Sequence, residues 1–262
     1  MGTGKLEFTA DDAKEAIRLR EAVLQRATGV RRATARRATP AFTGGLAPDF
    51  PGAELLSYRK QADAAVRSAI AWDAQDLYVA WDVADNTPWT NGATDPAMLY
   101  LSGDTVDLQL AANPEAATNR NEAVAGDLRL SIGSFQGNPT AVLYRKTVAE
   151  GGPKKPRSFS SGVAKDYRMD YVEVLAKAVI KVSVQRGRGY VVEAAIPLAD
   201  LGLVPKDGLT VRADFGVTHG DTAGQRTRLR TCWSNQHTGI VDDAVYELMM
   251  EPKYWGELLF QQ

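Results

Sequence analysis

From about residue 68 onward the chain is written in short alternating runs. Leu77, Val79, Trp81 and Val83 alternate with Tyr78, Ala80 and Asp82, which is the period of a strand with one buried face. Val106, Leu108 and Leu110 alternate in the same way with Thr105, Asp107 and Gln109. Leu128, Leu130 and Ile132 stand against Arg129 and Ser131, and Val211, Ala213, Phe215 and Val217 against Arg212 and Asp214. Clusters of Gly, Pro, Asn and Asp separate these runs, a punctuation that belongs to sandwiches and barrels. The pattern predicts an all-β fold, an antiparallel β-sandwich of jelly-roll or immunoglobulin-like type. Gln185-Arg186-Gly187-Arg188-Gly189 reads as a hairpin turn whose glycines supply positive φ. Leu198-Ala199-Asp200-Leu201 reads as one helical turn closed by Gly202, and Pro205-Lys206-Asp207-Gly208 as a tight turn into the next strand. Trp72 and Trp81 fall in strand patterns and are expected in the core, with Trp255 as a structural plug.

The N-terminal part has a different period. Thr9 can cap a helix whose first turn carries Asp11 and Asp12, and Ala13, Ala16, Ile17, Val23, Leu24 and Ala27 keep helical spacing up to Gly29. One amphipathic helix is predicted there. Arg31-Arg32 and Arg36-Arg37 follow in a run of Ala and Thr, read as a solvated basic linker. The expected organisation is an N-terminal helix and basic linker over residues 1–40 and a sandwich over 41–262.

Composition narrows the functional classes. The 262 residues are 44% hydrophobic and 24% charged, enough apolar surface for a sizeable core. The formal net charge of -1 argues against an overall field that attracts nucleic acid. No apolar run is long enough to span a bilayer, so membrane insertion is not expected. The N-terminus has no signal-peptide core, and the chain is read as an excised piece of a larger exported protein, extracellular or periplasmic. Cys232 is the single cysteine, which excludes an intrachain disulfide and a cysteine zinc site.

Catalytic constellations are scarce. His219 and His237 form no two-histidine metal motif, no Gly-x-Ser-x-Gly elbow occurs, and the Gly-x-Gly lacks the further residues of a nucleotide loop. Asp82, Asp85, Asp104, Asp107 and Glu193 are the carboxylates from which a two-acid glycosidase would have to be built. Outward carboxylates on sandwich strands serve equally as hydroxyl acceptors, calcium ligands or ion-pair partners, and no enzyme activity is expected. Sugar binding needs a flat apolar platform together with charged or amide groups. Trp89, after Asp85-Asn86-Thr87-Pro88, lies on a polar loop where it either forms such a platform or packs beneath its own loop.

The order of segments adds a resemblance. Asp76-Leu77-Tyr78-Val79-Ala80-Trp81-Asp82-Val83, Gly103-Asp104-Thr105-Val106-Asp107, Gly189 to Pro197, Gly224-Gln225-Arg226, Trp233-Ser234-Asn235 and Trp255-Gly256-Glu257-Leu258 follow one another as in the family 9 carbohydrate-binding modules, which the chain resembles from roughly residue 31 to 260. The resemblance implies a non-catalytic module that binds an oligo- or polysaccharide and is fused to or associated with other domains. In that family a sugar is held between two tryptophans while an acid, an arginine and amide side chains read its hydroxyls. The acid matches Asp107, the arginine Arg129 and the first tryptophan Trp89; Glu193, Trp233 and Asn235 complete the expected ligand-binding set. An insertion, 90–102, separates Trp89 from the strand it should abut. The second tryptophan is replaced by Gly239-Ile240-Val241-Asp242, and a glutamine of the family site by Gly216. Losing one indole face removes on the order of 80 Å² of apolar cover, about 2 kcal/mol, or roughly 30-fold in affinity.

Structural calcium is implied by the same family, with Asp85, Asp104, Asp242 and Asp243 as ligands near loop ends. The sandwich class also contains DOMON-type domains that hold haem through a methionine and a lysine or histidine, for which Met98 and His237 are the candidates. A protein-docking β-sandwich module is the other alternative.

Overall fold

The computed structural model describes residues 29–236 and 243–262. The helix expected before Gly29, His237 and Asp242 lie outside them. The strands are β1 (Arg32–Arg37), β2 (Leu56–Arg59), β3 (Ala65–Trp72), β4 (Asp76–Ala84), β5 (Thr105–Ala111), β6 (Asp127–Phe135), β7 (Asn138–Arg145), β8 (Arg157–Phe159), β9 (Tyr167–Met169), β10 (Tyr171–Val174), β11 (Val179–Gln185), β12 (Gly189–Pro197), β13 (Thr210–Gly220), β14 (Thr227–Cys232) and β15 (Gly256–Gln261). Two short helices, α1 (Leu46–Asp49) and α2 (Leu198–Leu201), accompany them.

Thirteen strands form one curled sheet in the order β10-β7-β6-β5-β13-β15-β1-β3-β4-β12-β11, with β14 added to β13 and β2 to β3, while β8 and β9 pair separately. The two halves of this sheet face each other across a common core, which is the predicted sandwich. Leu77, Val79, Trp81 and Val83 of β4, Tyr190, Val192 and Ile196 of β12, and Val106, Leu108, Leu130, Phe215 and Val217 of the opposite half all enter it. Those of β4, β5, β6 and β13 belong to alternating runs, so the period-two pattern selects their buried face, whereas β12 is apolar on both faces. The Gly187 and Gly189 backbones have φ of 72° and 131° in the β11–β12 turn, and Gly202 closes α2 at φ 64°, as the sequence predicts.

Two expectations need correction. The arginine run is no linker: Arg32–Arg37 is strand β1, which pairs parallel with β15 on one side and with β3 on the other. Ala33 and Ala35, 2% and 0% exposed, point inward while the arginines face out. The alternation is there, but carried by alanines too small to register as a strand signal. The sheet is therefore mixed, with β1 as the bridge between its halves, and the sandwich strands begin before residue 41.

Further layers cover both outer faces. The 90–102 insertion, a segment around Val245, Leu248 and Met250, and Phe159 and Met169 pack over the outer side of β5 to β7, burying Leu99, Tyr100, Tyr144 and Trp255 in a second core. On the other half, Leu46 and Phe50 from α1 and its flank cover Ala69, Ala71, Tyr78, Ala80, Val191 and Ala195. Trp233 is 4% exposed, edge-on to Phe215, and its ring lies where a Cβ on Gly256 would stand. Gly256→Ala must displace this rigid indole, so we expect a loss of about 1–3 kcal/mol. A urea unfolding midpoint equal to that of the parent protein would contradict this packing.

Candidate functional site

The family acid and arginine do lie together on the outer face of β5 and β6. Asp107 pairs across the ladders with Ser131 on β6 and with Gly216 on β13, and Gly216 in turn with Cys232 on β14. Arg129 donates from Nε and Nη2 to the two carboxylate oxygens of Asp107 at 3.1 and 3.0 Å, a bidentate pair. Ser131 donates to the same carboxylate. The remaining guanidinium nitrogen, Nη1, donates to the Glu247 carbonyl, and the ring of Tyr100 lies 5.3 Å from the Arg129 guanidinium carbon. Burial disfavours charge on Arg129, yet Asp107 beside it keeps the guanidinium pKa above its ordinary value.

A second buried arginine completes the arrangement. Arg230 on β14 donates to the Glu247 carbonyl at 3.1 Å and to the Tyr100 carbonyl at 2.8 Å, and it forms an ion pair with the Glu247 carboxylate. Burial raises the Glu247 pKa, an effect that Arg230 and Arg129 oppose. Arg129, Asp107 and Glu247 are 1%, 4% and 3% exposed. The two side chains that the sequence places at a sugar site therefore sit beneath Tyr100 and the 243–250 segment, neither of which the sequence pattern pointed to. Loops without periodicity do not announce which strand face they will cover.

A cleft of about 220 Å³ is lined by Arg59, Lys60, Cys232 and Gln236. It borders the Asp107–Gly216–Cys232 row: a Cβ on Gly216 would lie 3.5 Å from the Asp107 Cβ and 3.6 Å from the Cys232 sulfur. Arg59 ends β2 and Gln236 follows the turn after β14, so the cleft combines a guanidinium, an ammonium and an amide on separate elements. Its neighbour Asp214 organises that turn. The buried Asp214 carboxylate accepts from the Ser234 amide at 2.7 Å and the Asn235 amide at 2.9 Å, and burial pushes its pKa up to about 7.

The other expected site residues go elsewhere. Trp89 is half-buried against the main core with its ring centroid 4.5 Å from that of Tyr190, so the indole packs under its loop and is no open platform. Trp233 is a core residue, and Asn235 stands beside the cleft in the Asp214 turn. Glu193 lies on the outer face of the opposite half of the sheet, fully buried. Met98 packs into the second core.

Of the four carboxylates expected as calcium ligands, Asp85, Asp104 and Asp243 are engaged by protein donors. Asp85 is paired with His219 Nδ1 at 3.0 Å and accepts from the Thr87 amide and hydroxyl. Asp104 accepts from the Gly220 amide at 2.8 Å, and burial, with Asp85 nearby, raises its pKa to about 7. Asp243 accepts from the Val245 and Tyr246 amides at 3.0 and 2.9 Å. Protein donors thus occupy these carboxylates, and among the described residues no three acids, histidines or cysteines gather as a metal cluster. His219 is locked between Asp85 and the Thr231 hydroxyl, 2% exposed.

The chain belongs to the carbohydrate family 9 binding domain-like family, whose model matches residues 52–262. Among solved structures it is similar to a family 9 carbohydrate-binding module from Caldicellulosiruptor kristjanssonii in complex with cellotriose, at 17% identity and a TM-score of 0.57 over 88% of this chain and 94% of that one. The same module in complex with glucose gives 18% identity and a TM-score of 0.57, covering 88% and 96% of the two chains. A Bacteroides uniformis protein aligns at 12% identity with a TM-score of 0.52 over 89% of this chain and 100% of its own. No curated protein sequence matches. At these identities the structural likenesses show the fold.

Arg129→Ala would leave the Asp107 carboxylate buried without its counter-charge, and we expect it to cost about 3–5 kcal/mol. A chemical-denaturation curve superimposing on that of the parent would show the pair to be solvated instead.

Proposed function

We propose that the protein is a non-catalytic carbohydrate-binding module of a larger exported protein, and that the sugar is received in the cleft lined by Arg59, Lys60, Cys232 and Gln236. The observation that carries this reading is the position of the cleft. It opens on the strand row Asp107–Gly216–Cys232, the same row on which the family resemblance places the hydroxyl-reading acid, inside a chain that belongs to a carbohydrate-binding family. The solved module at similar fold carries glucose or cellotriose, which supports neutral glucans as the first ligands to test. Arg59 is exposed and Gln236 half-buried, so a guanidinium and an amide stand at the surface to meet hydroxyl oxygens. Asp107 and Arg129 lie to one side of the cleft, beneath Tyr100 and the 243–250 segment, and do not touch the sugar in this reading. Calcium has no place in this reading, and neither does haem.

The absence of an aromatic sandwich sets the expected strength. A site relying on hydrogen bonds exchanged with water, without an indole face, gains about 0.5–1.5 kcal/mol per bond, so affinity in the millimolar range is expected.

A glycan array of mono-, oligo- and polysaccharides, followed by titration of the best ligand against free sugar, tests the proposal. Competable binding that weakens about tenfold or more in Arg59→Ala and in Gln236→Ala supports the cleft. Binding unchanged in both variants would move the site elsewhere on the fold, and no binding to any glycan would remove the carbohydrate reading. Both side chains lie at the surface, so folding is expected to survive either change.

A further inference from the structure

On the outer face of the β3-β4-β12-β11 half of the sheet, two acids meet under the α1 cap. Glu193 is on β12 between Ala80 of β4 and Lys181 of β11, and it is 0% exposed. By geometry neither of its carboxylate oxygens has a well-placed donor among the described residues, and its polar neighbours are the Asp49 carboxylate and the Gly44 amide. Its neighbour is Asp49, the last residue of α1, 2% exposed and in hydrogen-bond contact with it. Asp49 is saturated: one oxygen, Oδ2, accepts from the Thr43, Gly44 and Gly45 amides at 2.7, 3.0 and 3.0 Å, and the Thr43 hydroxyl reaches both oxygens. Asp49 thus has several donors favouring its charge, whereas Glu193 has only Lys181 and the Gly44 amide against its burial and the Asp49 charge. Two ionised carboxylates at this distance would repel each other in a site with no solvent to screen them, whereas one proton on Glu193 turns repulsion into a hydrogen bond.

We infer that Glu193 and Asp49 share a single proton, and that this proton latches the 42–50 segment onto the outer face of the sheet in a contact that rising pH loosens. The segment is held otherwise by Leu46 and Phe50 on the apolar patch and by Lys181 Nζ donating to the Phe42 carbonyl at 3.0 Å. Among the described residues Lys181 is the cation whose charge acts on Glu193, and its Nζ donates to that carbonyl. Further along the same face, Arg67 and Asp82 neutralise each other. The direction of titration agrees. Burial, then the Asp49 hydrogen bond, raises Glu193 from 4.5 to about 7, while burial of Asp49 is outweighed by the Thr43 and Gly45 hydrogen bonds that hold it below the usual carboxylate range.

The folded state holds a proton that the unfolded chain has released, so this contribution to stability is complete below pH 4.5 and declines until the pH passes about 7. Asp104 and Asp214 titrate in the same window, which makes the comparison with a variant necessary. Glu193→Gln keeps a donor toward Asp49 and removes the titration. Melting temperatures of the full chain from pH 5 to pH 8 should fall less steeply in E193Q than in the parent, and parallel profiles would overturn the inference. Should E193Q not fold, carbon-13 titration of the Glu193 carboxyl in the parent decides: a midpoint near 7 is expected, and one below 5 overturns it. The latch itself is read from hydrogen exchange of the Thr43, Gly44 and Gly45 amides. Their protection, corrected for base catalysis, should drop as Glu193 ionises; constant protection across the midpoint would overturn the latch.

Discussion

Two guanidiniums buried on one sheet face set the terms for everything around them. Arg129 and Arg230 cannot lie under an apolar layer without acceptors, because an unpaired buried charge costs several kcal/mol. Asp107 answers the first and Glu247 the second, and the Glu247 carbonyl is shared by both. That sharing fixes the path of the 243–250 segment. Once the segment is in place, Val245, Leu248 and Met250 close over Tyr100 and the inserted loop. A charged network thereby organises the hydrophobic layer above it, in contrast to the main core, where alternation alone suffices.

The consequence for function is a division of labour between buried and open parts of one strand row. Asp107 and Arg129 are buried and turned toward protein partners, so in the proposed reading recognition falls to groups beyond Cys232, where the surface opens. The cleft residues come from β2 and from the turn after β14, which the Asp214 carboxylate holds through two amides. Buried acids recur as organisers in this fold: Asp214 under the cleft, Asp104 at the start of β5, and Asp49 beneath α1, each collecting backbone amides of an irregular segment. Carboxylates suit this task because their several lone pairs accept amides that no ladder can reach.

Much of the architecture was legible in the sequence. The strands around Trp81, Leu108, Leu130 and Phe215, the β11–β12 hairpin, and the helical turn closed by Gly202 follow from local periodicity and from glycine's access to positive φ. These properties belong to a few consecutive residues and survive without tertiary contacts. The alternation puts Asp107 and Arg129 each on the polar side of its run, while their meeting was implied by the family resemblance. Strand β1 escaped because its inward residues are alanines, and the resemblance to a carbohydrate-binding family carried a platform role for Trp89 that the Tyr190 contact removes.

What the sequence by itself determined is therefore which side of each strand is apolar, and hence that the chain closes into a sandwich. Only the tertiary structure decided what lies on the outer faces. Whether an outward carboxylate meets water, a cation, an amide or a second carboxylate depends on loops such as 90–102 and 243–250, whose course is set by long-range partners and not by any periodicity of their own. Asp107 under Tyr100, Asp85 against His219 and Glu193 against Asp49 read alike along the chain, and only the approach of distant segments makes the first an ion-pair anchor, the second a locked pair and the third a shared proton.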